Sequence, residues 1–171
     1  MSQKNTMDRE QFRALQAPLK QRYIDDPKLA SVTLRAEGQL GQNVTCSVAT
    51  GREIVESGLH PATGGTGLSA CSGDILLQAL VACAGVTLSA VATSLGIEVS
   101  GGNVIAEGDL DFRGTLGVAK DASVGFTQIR LRFSLETKAN QAERAKLLQL
   151  TERYCVVYQT LRNGSDVSMT L

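Results

Sequence analysis

The sequence predicts an α+β domain in which antiparallel sheets wrap around a long, buried central helix. Three observations point there. From Ile75 to Ile97 the chain carries no charge, and a helix apolar on every side has to be covered on every side. Before and after that stretch, apolar and polar residues alternate in short runs, as in strands with one wet face. The remaining helical patterns gather near the amino terminus and after Asn140, so strands follow one another through short turns, which is the order of an α+β domain. One sheet cannot cover such a helix alone. A second copy of the chain can, so a homodimer is expected, with the central helices buried between two sheets.

Taken in order, the first element is helical. Phe12, Leu15, Leu19 and Tyr23 recur at steps of three and four between Met7 and Ile24, and the pattern ends before Asp25-Asp26-Pro27. Residues 1–27 therefore read as an amino-terminal helical arm, laid across the main body or a partner, and residues 28–171 as the main domain. The period then changes to two. Val32, Leu34 and Ala36 alternate with Thr33, Arg35 and Glu37, and Val44, Cys46 and Val48 repeat the pattern after Gly41-Gln42-Asn43, so a hairpin is expected. Cys46 belongs to the apolar face of its strand and reads as a core thiol. A third strand is expected from Arg52 to Glu56.

The segment from Gly58 to Gly73 is irregular and dense in glycine. It holds the single histidine, His60, and one of the four cysteines, Cys71. It lacks the spacing of a phosphate-binding loop, and reads either as a shaped connection or as a place where backbone approaches a ligand. His60 precedes Pro61, so its backbone is expected to be extended. As the sole imidazole it is a candidate acid or base near neutral pH.

The central helix is bounded by Ser72, a residue suited to an N-cap, by Asp74 in the first turn, where an acid suits the positive end of the helix dipole, and by Gly96. Its length alone would permit a membrane span, for which ~20 apolar residues suffice. However, Asp74 and Glu98 border it without a nearby Lys or Arg, so the usual basic flank is missing. The strands that follow need a soluble core, and no membrane association is expected. Those strands are Glu98–Ser100, Asn103–Phe112 and Phe126–Glu136. In the last, Ile129, Leu131, Phe133 and Leu135 point one way, and Arg130, Arg132, Ser134 and Glu136 the other. A second helix begins at Asn140, with Glu143 three residues on, a capping-box pattern; Leu147, Leu148, Leu150 and Tyr154 are expected to face the body. Val167, Met169 and Leu171 read as a final strand.

Composition excludes several functions. Lys+Arg and Asp+Glu are equal at 17 each, Trp is absent and aromatics make up 4%, so the electrostatic and stacking features of nucleic-acid binding are missing. MSQKNTMDREQF contains no apolar export core, and a cytoplasmic location is expected, where cysteines stay reduced or react. No cysteine stands in a zinc-ligand spacing; neither a metal nor a cofactor is expected.

Chemistry, if present, rests with Cys83 and Cys155. A thiol in the middle of an apolar helix is normally inert, because burial suppresses the thiolate. A functional Cys83 would need a cation or base brought from elsewhere in the fold. Cys155 lies at the junction of two helical segments, where the carboxyl end of the first would raise its pKa and suit it to a resolving role.

The two cysteine contexts, ALVACAGVTL and ERYCVVYQTL, in this order and spacing, resemble the OsmC/Ohr family of thiol-dependent peroxidases over about Val32 to Leu171, in a divergent branch. The resemblance implies an OsmC-like fold, an intertwined dimer with active sites at its interface, and no metal or haem. It implies that Cys83 is a peroxidatic thiolate and Cys155 the resolving thiol, that the substrate is an organic hydroperoxide, and that an external dithiol is the reductant. Peroxidases of the family place an Arg in the loop joining the first two strands and a Glu ten positions before the first cysteine. Here that turn is Gly41-Gln42-Asn43, and the nearest arginines are Arg35 and Arg52, of which Arg52 is the candidate cation. The Glu position is Gly73, with Asp74 one step later. Nine helical steps put Asp74 on the side away from Cys83 and ~13 Å along the axis, so Asp74 stands as a helix-start acid or a catalytic partner. The alternative function is that of a non-catalytic dimeric protein of the same fold that binds a small apolar ligand.

Overall fold

The computed structural model describes residues 8–25, 38–40, 46–49, 54–117 and 119–171. Its elements are α1 (Arg9–Asp25), β1 (Gly38–Leu40), β2 (Cys46–Ala49), β3 (Ile54–Gly58), a 3₁₀ turn at Pro61–Thr63, β4 (Ala70–Cys71), α2 (Ser72–Leu95), β5 (Gly101–Leu110), α3 (Phe112–Thr115), β6 (Phe126–Glu136), α4 (Gln141–Tyr154) and α5 (Val156–Asn163). The expected strand at Val32–Glu37, the Gly41-Gln42-Asn43 turn, Val44 and Arg52 lie outside the described residues, as does the burial of Cys46.

Two compact units make up the chain. One comprises Met1–Thr33, Ala82–Val104 and Phe133–Leu171; the other comprises Leu34–Val81 and Ile105–Arg132. In the second unit β1 to β4 form a sheet in sequence order. The first two pairings are antiparallel, with Leu40 opposite Cys46 and Val48 opposite Val55. The last is parallel, with Ser57 opposite Ala70 and Gly58 opposite Cys71, a departure from the all-antiparallel expectation. The connection over residues 59–69, which contains the Pro61–Thr63 turn, loops back so that β4 runs beside the end of β3 in the same direction. On β5 and β6 in this unit, Arg130 pairs with Asp109 and Glu107, and Arg132 with Glu107, an exposed cross-strand ladder of opposite charges.

The first unit is built around the carboxyl-terminal half of α2. Leu88, Val91 and Ala92 pack with Leu147 of α4, flanked by Ile97, Val99, Phe133, Leu135 and Leu150. Here α2 ends as the sequence predicts. Gly96 sits at φ +72, its N–H bonds to the carbonyl of Thr93 at 3.2 Å, and that of Ile97 to Ala92 at 2.9 Å, which is the paired hydrogen bonding of a Schellman closure. Gly102 (φ +142) allows β5 to lie against β6, because a Cβ there would stand 2.3 Å from the Ser134 carbonyl oxygen. The Asn140–Glu143 capping box at the start of α4 is formed in both directions.

Other elements differ from expectation. Ser72 is the first helical residue rather than the cap before it. Glu98–Ser100 is not a strand, although the Ser100 N–H bonds to the Glu136 carbonyl at 2.9 Å, and Phe112 opens α3 behind Asp111 as its N-cap. Leu148 and Tyr154 are exposed on α4 while Leu147 is fully buried, because α4 packs through a narrow stripe. The final alternating run forms no strand: Val167, Met169 and Leu171 are all exposed, and among the described residues no strand pairs with them. Finally, α2 is buried along one stripe only, through Leu80, Ala84, Leu88, Val91 and Ala92, while Val86 is 72% exposed. By length and composition it is also long and apolar enough to cross a membrane.

Leu147→Ala removes a side chain at the centre of the first unit's core and is expected to cost about 2–5 kcal/mol. Leu148→Ala, on the exposed side of the same turn, should cost less than about 1 kcal/mol. Urea unfolding of the two variants measures the difference.

Candidate active site

Cys83 lies on α2 within the first unit, and the site is built outward from its sulfur. One turn further along the same helix, Thr87 brings its hydroxyl to Cys83. The other groups come from the end of the chain. Helix α4 stops at Tyr154 and α5 starts at Val156, so Cys155 alone forms the corner, at φ −75 and ψ 107. Its N–H closes α4 on the Thr151 carbonyl at 2.9 Å. The corner turns the amino end of α5 toward Cys83, so that the backbone N–H groups of Val157 and Val156 and the thiol of Cys155 reach the Cys83 sulfur. Cys155 is 1% exposed and Cys83 half-buried; both are free thiols.

Electrostatics separate the pair. For Cys83, burial opposes ionisation, but hydrogen bonding from Val157 N–H, the Cys155 thiol, the Thr87 hydroxyl and Val156 N–H outweighs it and sets the pKa below that of an ordinary thiol. For Cys155, burial acts first and raises the pKa; the N–H groups of Tyr158 and Val157 pull the other way, but the hydrogen bond and charge of Cys83 keep it raised. The first thiol is therefore the one to ionise, and the second the one to keep its proton. The amino end of a helix favours a thiolate because its first N–H groups have no helical partner and carry the positive end of the dipole.

Cys83 and Cys155, the two candidates from distant parts of the sequence, are thus brought together. Asp74, His60 and Cys71 belong to the second unit, where they line a cavity of about 190 Å3 with Leu77, Leu110, Phe112 and Phe126. The His60 ring stacks on Phe112 with centroids 4.8 Å apart, and its Nδ1 accepts the Ala62 N–H at 3.0 Å. That nitrogen is engaged in shaping the Pro61–Thr63 turn. Among the described residues no cluster of His, Cys, Asp or Glu has the arrangement of a metal site. Sequence reasoning missed two participants. Thr87 was readable from its i+4 spacing to Cys83; the amino end of α5 was readable only as the helix boundary implied by Cys155 and Gly164.

A pair of thiols with opposed ionisation, one buried and one half-buried, on an α+β framework built around an apolar helix, defines a class of thiol-bearing proteins. Residues 65–170 match the family of OsmC-like proteins, and the chain belongs to that family. Solved structures share the fold. The OsmC-like protein of Mycoplasma pneumoniae superposes with a TM-score of 0.66 at 14% identity, covering 78% of this chain and 90% of that one. An organic hydroperoxide resistance protein from Elizabethkingia anophelis gives 0.63 at 17% identity, with coverage of 78% and 91%. The organic hydroperoxide resistance protein OsmC of Legionella pneumophila gives 0.61 at 20% identity, with coverage of 80% and 93%. No curated protein matches by sequence.

Because Cys83 is held below and Cys155 above the usual thiol pKa, alkylation by iodoacetamide followed against pH should label Cys83 first. Cys155→Ala and Thr87→Val each remove a donor from the Cys83 sulfur. Both should move the Cys83 profile to higher pH, so that labelling near pH 7 slows by about threefold or more.

Proposed function

We propose that the protein is a cytoplasmic, homodimeric thiol peroxidase that reduces organic hydroperoxides through Cys83 and Cys155. The observation that carries this reading is the contact between two thiols of opposed ionisation. The Cys83 thiolate attacks the distal oxygen of ROOH. The O–O bond breaks, the sulfur becomes a sulfenic acid, and RO⁻ leaves to take a proton and depart as the alcohol. The Cys155 sulfur then bonds to the sulfenic sulfur, releasing water and leaving a Cys83–Cys155 disulfide. An external dithiol restores both thiols by exchange and is itself oxidised to a disulfide.

Support for the substrate comes from the apolar character of α2 around Cys83, which suits an organic chain better than water or hydrogen peroxide. The names of the Elizabethkingia and Legionella proteins of the same fold point the same way. Support for the dimer comes from the exposed flank of α2 at Val86, an apolar helix side that a second copy would cover. Among the described residues, no charged side chain is among the groups that favour the Cys83 thiolate. The helix end and the Thr87 hydroxyl supply part of the stabilisation that the resemblance assigned to an Arg; Arg52 lies outside the described residues, and Asp74 and His60 are given no catalytic role.

One observation favours a second reading. The first unit holds a cavity of about 670 Å3 lined by Gly85, Leu88, Ala92, Val99, Val104 and Leu135, among others, which suits a non-catalytic dimeric protein that binds a small apolar ligand.

Turnover of tert-butyl hydroperoxide with dithiothreitol separates the two. Cys83→Ser should abolish it. Cys155→Ser should leave a sulfenic acid on Cys83 that dimedone traps. Absence of any Cys83–Cys155 disulfide after mild peroxide treatment of the wild type would refute the enzyme and favour the binding protein.

A further inference from the structure

The corner between α4 and α5 has to be held at one angle for the α5 amide groups to reach Cys83, and the structure shows what holds it. Gln159 spans the corner. Its backbone N–H bonds to the Cys155 carbonyl at 2.9 Å. Its side-chain Nε2 donates to the Glu152 carbonyl at 2.7 Å, back across the turn and into the last turn of α4, where carbonyls lack helical partners. Its Oε1 accepts from Asn163 Nδ2 at 2.8 Å, which fixes which end of the amide faces Glu152. Arg162 also reaches over, pairing with the Glu152 carboxylate and donating to the Tyr158 hydroxyl at 3.3 Å. The two ties differ in weight. The Arg162 and Glu152 side chains are 59% and 45% exposed, and an exposed pair in high dielectric contributes little. Gln159 is half-buried, and its bond satisfies a backbone carbonyl that the end of α4 would otherwise leave open.

We propose that Gln159 is a positioning residue for Cys83: by bolting the first turn of α5 to the last turn of α4, it keeps the N–H groups of Val156 and Val157 aimed at the Cys83 sulfur. This rests on the reading of Cys83 as the reacting thiolate. The physical ground is angular. Hydrogen bonds weaken steeply as the donor turns away from the acceptor, and both donors sit in the turn that Gln159 anchors. A freed α5 would keep its helix but lose its aim.

Gln159→Met keeps size and helix propensity while removing both ends of the amide. The expected result is that iodoacetamide labelling of Cys83 slows by about three- to tenfold near pH 7 and recovers to the wild-type rate at strongly alkaline pH. Turnover of tert-butyl hydroperoxide should follow the same pH pattern. Arg162→Met, which removes the exposed ion pair and the bond to the Tyr158 hydroxyl, should change labelling by less than about twofold. Asn163→Ala, which frees the orientation of the amide, should shift the profile in the same direction as Gln159→Met but by less, and it provides the test where Gln159→Met fails to fold. An unshifted profile in a folded Gln159→Met, a loss equal at every pH, or a larger effect from Arg162→Met would overturn the proposal. Labelling does not require turnover. A shifted profile in a protein that reduces no peroxide would therefore defeat the peroxidase reading and leave the role of Gln159 standing.

Discussion

The contact between the Cys83 sulfur and the amino end of α5 is the interaction on which the site depends. Neither partner suffices alone. A thiol on an apolar helix stays protonated, and the open N–H groups of a helix end are ordinarily satisfied by water or by a capping side chain. Each supplies what the other lacks, and the Cys155 thiol completes the set. Among the described residues, the groups that favour ionisation of this sulfur are backbone dipoles and neutral donors.

The packing of α2 serves the same end. Leu88, Val91 and Ala92 seat its carboxyl-terminal half on α4 and on Phe133 and Leu135 of β6, and Gly96 and Ile97 close it with hydrogen bonds to the Thr93 and Ala92 carbonyls. Leu147 and Thr151, both buried on α4, lie in the turns just before Cys155, and the Thr151 hydroxyl bonds back to the Leu147 carbonyl at 2.8 Å. The core that stabilises the first unit is therefore also the mount for the two sulfurs. Arg9 of α1 reaches the end of α2 at Gly96, placing a positive charge at the negative end of the helix dipole.

What the sequence made legible was local. The absence of charge from Ile75 to Ile97, the glycine after Leu95, the Asn140–Glu143 box and the alternation of β6 each record a short-range rule, and the structure contains all four. Cysteine contexts carried the family, because they are strings. Tertiary facts were not readable in the same way. The junction of two helical segments at Cys155 was legible, but not that the amino end of the second would meet a sulfur 72 positions earlier. The i+4 spacing puts Thr87 on the same side of the helix as Cys83, but a hydroxyl pointing at a sulfur and one pointing at solvent are spelled alike. Met169 shows the opposite failure: alternation is necessary for a half-buried strand, but a strand also needs a neighbour, and among the described residues none pairs with it.

Only one residue separates the last helical position of α4 from the first of α5. Such a joint has no slack to absorb a change in chain length. A residue added within the last turn of α4 would rotate everything beyond it by about 100° and advance it by about 1.5 Å, carrying the amide groups off their target even if every side chain were kept. Related chains that preserve this chemistry should therefore exchange residues freely around the joint while keeping its count fixed, with insertions and deletions displaced to loops such as the one between α3 and β6.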